Sequence, residues 1–311
     1  MAFSVLEPVP ITATMVTASS LTVEDDSPVW QSGRPSNSYV VGDKRHRVET
    51  HSVYERIKAE ASGAAENTPP ENDPEHWLYM RPTNKWAMFD AYTRTRTTAQ
   101  NRLSVTLRPG GFVTAVWLGG LDAKTAKVTV RSRPDGPVVY DSGIRQLDAA
   151  VRDRWSLYWL ARPHVVEDTL FPNIRPCIDP NITIELTRSG SVGLGMVVLG
   201  QLVRIGETQW GAGAGPTSNS FIDFKADGTA KWTRRDPTRT LNCNVEVQPR
   251  DANMVSRLLA RLDGVPALYV ASSRQRHEPL RVFGFMQNQP SQVLRFENVK
   301  QCMQPINVIG L

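Results

Sequence analysis

Residues 103–118, LSVTLRPGGFVTAVWL, set the fold class. Leu103, Val105 and Leu107 alternate with polar residues, which is the period of a half-buried strand, and Pro109-Gly110-Gly111 turns the chain into a second apolar run, Val113 to Leu118. The same grammar continues outward. Lys127 to Val130 precedes the Pro134-Asp-Gly-Pro137 turn and Val138 to Tyr140, and Ile182 to Leu186 precedes Ser189-Gly190 and the run from Gly193 to Val203. No long segment of helical period separates these strands. Residues 81–205 are therefore expected to form a β-sandwich, with Trp86, Phe89, Trp117 and Leu118 among its core residues.

Toward the C-terminus the chain stays mainly β with one helix. Gln209 to Ser220, rich in glycine, is expected as a flexible connector, and it lacks the lysine that ends a phosphate-binding loop. Leu241, Cys243, Val245 and Val247 alternate with Asn242, Asn244 and Glu246 as a strand. A helix over 251–263 follows, with Asp251 as its cap, Met254, Val255, Leu258, Leu259 and Leu262 as its apolar stripe, and Gly264 at the left-handed C-terminal position. This places Met254, Leu258 and Leu262 against the strand and leaves Arg257 and Arg261 as candidate interface residues. Strands are expected at 266–271, 280–286, 292–298 and 303–309, completing a domain over 206–311.

Toward the N-terminus, residues 1–28 carry Pro8, Pro10 and the acidic Glu24-Asp25-Asp26, which suits an extended arm or an initial strand followed by a turn. Residues 29–80 then space aromatics around a Gly42-Asp43 turn, and the polar run from Ala61 to Pro74 is too poor in apolar residues to be core. Trp30, Tyr39, Tyr54 and Trp77 are the candidate binding residues. An indole or phenol ring offers an apolar face on which the CH face of a sugar buries area while its hydroxyls stay wet. The same four aromatics equally suit the core of a small domain.

Composition bounds the function. The chain has 311 residues and a formal net charge of +5, yet residues 1–80 hold six Lys/Arg against twelve Asp/Glu, so the basic excess lies beyond them. Arg94, Arg96, Arg102, Arg108, Arg131, Arg133, Arg145, Arg152 and Arg154 are scattered through turns and strands without a recognition helix, so protein contact or solvated surface is expected and nucleic acid is not. Cys177, Cys243 and Cys302 form no CxxC pair and predict neither a disulfide framework nor a zinc site. His46 and His51 are five apart and face opposite sides of a strand; His76, His164 and His277 have no companions at ligand spacing. No metal or cofactor, no catalytic residue and no membrane insertion is expected, and Met1 to Pro10 lacks the pattern of a secretory signal, which predicts a cytoplasmic origin.

Trp30, Tyr39-Val-Val-Gly-Asp43, Val53-Tyr54, Pro69-Pro70 and Trp77 resemble the small chitin- and cellulose-binding modules of the type 5/12 carbohydrate-binding class. The resemblance implies a compact three-stranded β-fold with aromatic faces turned to sugar. The order of that module, Pro82 to Asp90, Leu107-Arg-Pro-Gly110, Gly120-Leu-Asp-Ala123, Val138-Val-Tyr-Asp141 and Val198-Leu-Gly-Gln201 is similar to a family of tailed-bacteriophage virion proteins. Asn84 to Asp90 with the later strands looks like a galactose-binding-like jelly roll, and Thr240 to Val247, the helix and Pro266 to Val270 look like the closing, docking domain of those tail proteins. The resemblance implies a structural tail protein, assembled in the host cytoplasm and working by contacts with its own copies and other tail proteins. The alternative is recognition of a host-surface polysaccharide.

Overall fold

The computed structural model describes every residue except 61–62, 93–94, 150–163, 225–227, 275–276, 288–293 and 299–300. Arg94, Arg152, Arg154 and the first two residues of the strand expected at 292–298 lie outside the described residues. The described chain is mainly antiparallel β.

The alternating strands build the expected sandwich. One sheet runs β11 (Val138–Asp141), β10 (Thr125–Arg131), β16 (Asn181–Leu194), β8 (Thr97–Leu107), β2 (Val16–Ser19), with β12 (Arg145–Gln146) also on β10. Leu103, Val105 and Leu107 of β8 and Ile182, Ile184 and Leu186 of β16 point into one core. That core is closed by Val116 and Leu118 of β9 (Ala115–Gly119), Phe171 of β15 (Asp168–Phe171) and Val197 and Leu199 of β17 (Met196–Thr208). Each such side chain contributes about 1.5–3 kcal/mol when fully buried. Leu118 is in this core; Trp117 is buried on the opposite face, and Trp86 and Phe89 are half-buried.

Strand β17 does not stop at the sandwich. Beyond Gly200 it pairs along β1 (Ala2–Pro8), and the ladder continues through β22 (Ala267–Val270), β23 (Arg281–Met286), β25 (Gln301–Gly310) and β21 (Thr238–Val247). β21 returns to β17 through Glu207↔Glu246 and Thr208↔Val245, so six strands close a circuit. Closure needs glycine where backbones nearly touch: a Cβ on Gly206 would sit 2.3 Å from the Glu246 carbonyl oxygen, and one on Gly284 2.0 Å from that of Ile309. The interior is Phe3, Val5, Ile205, Leu241, Cys243, Val245, Tyr269, Val282, Ile306 and Val308, joined by Val255, Leu258, Leu259 and Leu262 from helix α1 (Ala252–Arg261) and the residue after it.

Several expectations are corrected here. Of the two expectations for residues 1–28, an extended arm or an initial strand, the strand is what forms: Ala2–Pro8 is hydrogen-bonded on both edges, and Phe3 and Val5 are barrel core. Part of the glycine-rich stretch expected as a connector, Gly213–Thr217, is a strand, β18, paired along β21. Glycine and Pro216 suit this outer position, where few side chains pack and one edge has no partner strand among the described residues. The helix turns Met254 outward, 42% exposed, and buries Val255, Leu258 and Leu259. Asp251 stands at its start without a side-chain cap bond, whereas Gly264 adopts φ +68° as a C-terminal glycine does.

Odd-numbered residues of β17 feed the two cores in turn, Val197 and Leu199 the sandwich, Val203 and Ile205 the barrel. Its even-numbered Met196 and Val198 face a third cluster, with Ala115, Trp117 and Leu170 from the sandwich strands and Leu6, Leu268, Val270 and Phe283 from the barrel strands. Trp117 stacks on Phe283 with ring centroids 5.6 Å apart. One strand thus carries the sandwich into the barrel, and the third cluster fixes the joint.

The N-terminal module holds β4 (Lys44–Arg47), β5 (Ser52–Arg56) and β7 (Trp77–Pro82) in one sheet, and β3 (Arg34–Pro35) pairs β6 (Ala65–Glu66). Two further ribbons stand apart: β13 (Asp148–Ala149) with β14 (His164–Val165), and β19 (Phe221–Phe224) with β20 (Ala230–Thr233). One further strand, β24 (Arg295–Asn298), pairs β25.

Candidate interaction surfaces

The four candidate binding aromatics of the module meet one another. Trp30, Tyr39, Tyr54 and Trp77 are 4%, 2%, 7% and 2% exposed and form a single cluster. Of the two readings of these aromatics, exposed platform or small-domain core, the core is the one the fold adopts, for a plain physical reason: the module has few aliphatic side chains to bury, so its rings supply the apolar area. Tyr39 sets its edge against Trp77 at 5.3 Å and donates its hydroxyl to the Gln31 carbonyl at 3.2 Å.

A charge pair sits inside this cluster. Arg56 has no exposed side-chain area and donates to both carboxylate oxygens of Glu66, at 3.3 and 3.1 Å. Trp77 Nε1 donates to the same carboxylate at 2.6 Å and Trp30 Nε1 at 3.5 Å. Arginines close the outside: Arg47 lies 4.9 Å over Trp30, and Arg34 and Arg45 lie 5.2 and 5.5 Å over Tyr39. Glu66 escaped the sequence reading because it stands in the polar run, where a lone glutamate carries no sign of burial.

Most carboxylates of the acidic segment are spent on this module's own cations. Glu24 meets His51 at 2.6 Å, Glu71 meets Arg47 at 3.2 Å, and Glu75 pairs with Lys58. Asp25 is chelated by Arg81, at 2.7 and 3.2 Å, and accepts bonds from Ser27 and the Asn84 amide. Burial alone would raise its carboxyl, but these hydrogen bonds outweigh burial and hold it at about 2. Six Lys/Arg against twelve Asp/Glu still leave residues 1–80 net negative, and Asp25 and Glu7 draw on Arg81 and Arg261 beyond them.

The histidines are likewise engaged one by one. His46 is buried and donates from Nδ1 to the Ser27 carbonyl at 2.6 Å, His51 stacks on Trp86 at 3.9 Å, His76 meets Asp73 at 2.9 Å, and His277 meets Ser272 at 2.9 Å. Among the described residues no group of three His, Cys, Asp or Glu could hold a metal. Burial pushes up the carboxyls of Asp90 and Asp168, but neither lines the shallow cleft of about 300 Å³ bounded by Asp25, Asp26, Arg81, Asn84 and Arg96.

Of the two candidate interface arginines, Arg257 is exposed and makes no ion pair among the described residues, whereas Arg261 is held 3.0 Å from Glu7 of β1. The larger exposed features are apolar and were not foreseen. Trp210 is 92% exposed; Leu78, Tyr79 and Met80 are exposed on the outer strand of the module sheet; and Ile222, Phe224 and Trp232 stand out on the β19–β20 ribbon at 57%, 75% and 71%. The ribbon had a sequence signal, the short alternation Ile222-Asp-Phe224 followed by the hairpin-turn dipeptide Asp227-Gly228. The sequence matches no protein-family model and no curated protein.

Proposed function

We propose that the chain is a non-enzymatic structural component of a bacteriophage tail, assembled in the host cytoplasm through contacts with copies of itself and with other tail proteins. The observation that carries this reading is the amount of large apolar surface left in water on separate parts of the barrel region: Trp210, the β19–β20 ribbon, and Phe285 with Ile309 on the outer wall. Surfaces of this kind, set on a framework with three well-filled cores, suit a part that is completed by neighbours. The resemblance of its motif order to that of tailed-phage virion proteins supports placing those neighbours in a tail.

The polysaccharide alternative does not rest on Trp30, Tyr39, Tyr54 or Trp77, whose rings are enclosed. Quantitative peptide mass spectrometry of tailed particles purified from the encoding strain tests the proposal. The expected result is this chain in several copies per particle; its absence from particles would overturn the reading.

A further inference from the structure

The joint between sandwich and barrel contains a carboxylate. Asp168 opens β15 and is the register partner of Gly119 of β9, while Leu170, two residues on, is the partner of Trp117. Cross-strand partners share a face, so Asp168 stands in the same row as Trp117 and Leu170, which belong to the apolar cluster that fixes the joint. Gly119 makes room for this arrangement: the Trp117 ring folds across it, and a Cβ there would sit 2.2 Å from the ring. Asp168 is buried as a result.

A buried carboxylate is normally held by several short hydrogen bonds. Asp168 is not. Its one side-chain hydrogen bond among the described residues is a long one, from Trp117 Nε1 at 3.5 Å. Arg239 of β21 stops 3.8 Å from it and lies closer to Glu167, at 3.3 Å. Arg281 of β23 also attracts it, but this buried guanidinium donates to the Arg274 carbonyl at 3.2 Å and leaves Nε without a partner among the described residues. Arg145 of β12, which repels Arg281, is held by Thr169 Oγ1 and the Leu170 carbonyl, at 2.6 and 2.9 Å. Glu278, in the turn Glu278–Leu280, repels the Asp168 carboxylate. Burial outweighs the attractions and pushes this carboxyl up.

We infer that Asp168 makes the sandwich–barrel joint proton-sensitive: the joint is tight while this carboxyl is protonated and loosens when it ionises. The inference is independent of the assembly reading. A protonated Asp168 puts a neutral group in the apolar row, whereas an ionised one puts a charge there with a single long hydrogen bond. Its contribution is fully present below the ordinary 3.8 and is lost as pH rises through the raised folded value. The sandwich and the barrel each have a filled core of their own, so the loosening falls on the cluster between them and leaves both folded. Every factor of ten in proton affinity between the closed and the open joint becomes a factor of ten in opening once the proton is gone.

The test is amide hydrogen exchange of the full chain from about pH 4.5 to about pH 8, corrected for the intrinsic pH dependence of exchange, on the natural protein and on Asp168→Asn. Every other titrating group is common to both chains, so the difference between them reports on Asp168. In the natural protein the amides of β9 and β15 should exchange about threefold or more faster at the top of the range than at the bottom, and in Asp168→Asn, neutral throughout, this ratio should fall to about one. Strands β8 and β16, on the far side of the sandwich core, should keep their protection in both chains. Equal protection of β9 and β15 at both ends of the range in the natural protein would overturn the inference, and it is read without the variant. A pH dependence that Asp168→Asn retains would overturn it as well.

Discussion

Arg56 and Glu66 meet inside the aromatic cluster of the N-terminal module, their guanidinium and carboxylate 3.1 Å apart and nearly without solvent. Two indole N–H groups complete the carboxylate, so the charge is hydrogen-bonded on several sides as a buried ion must be. The relationship lets the tryptophans be buried without an unpaired donor, because both N–H groups meet the Glu66 carboxylate inside the core.

Removing one member of that pair leaves the other charge buried and alone. Glu66→Ala is expected to cost about 3–5 kcal/mol of module stability, read as the urea midpoint of tryptophan fluorescence. Trp77→Ala should act alike, because it opens a cavity and strips the same carboxylate of a donor. A loss under about 1 kcal/mol in both variants would mean that the cluster is not what holds the module together.

Asp25 links the segment before the module to the segment after it, and its depressed carboxyl makes that link pH-dependent. A folded value of about 2 against an ordinary 3.8 contributes stability that is fully present above pH 3.8 and is lost as pH falls toward 2. Asp25→Asn should therefore cost about 2 kcal/mol near neutral pH, and its stability should change less than that of the natural chain between pH 4 and pH 2. Equal pH slopes for the two proteins would contradict the assignment.

Helix α1 offers a paired comparison on one element. Leu258 is core, so Leu258→Ala is expected to cost about 2–5 kcal/mol; Met254 faces water, so Met254→Ala should stay within about 0.5 kcal/mol. Chemical denaturation measures both, and similar losses would reverse the orientation of the helix.

Tyr269 is fully buried in the barrel, and its hydroxyl finds no hydrogen-bond partner among the described residues. Burial pushes this phenol up to about 12. Removing an unpaired buried hydroxyl spares its desolvation, so Tyr269→Phe should be neutral or stabilise by about 1–2 kcal/mol. A clear drop in melting temperature would show that the hydroxyl has a partner after all.

What was legible in the sequence was whatever depends on near neighbours. Leu103 to Leu107, Ile182 to Leu186 and Leu241 to Val247 announce strands by alternation, and Leu258, Leu259 and Gly264 announce a helix and its end. The barrel was not legible, because its closure joins β1 to strands some two hundred residues later, and no local pattern in Ala2–Pro8 names its partners. Gly213–Thr217 read as a connector because glycine and proline signal turns, whereas a strand at the margin of a sheet tolerates both. For the module, spacing identified the four aromatics but not their direction; that was set by Arg56 and Glu66, which only the fold brings together.

The central claim is that copies of this chain contact one another in a tail, and cryo-electron microscopy of intact particles tests it most directly. The account predicts density for the barrel repeated around or along the tail axis, with each copy touching the next. Particles that lack the chain, or that hold it in one copy touching only unlike proteins, would contradict it.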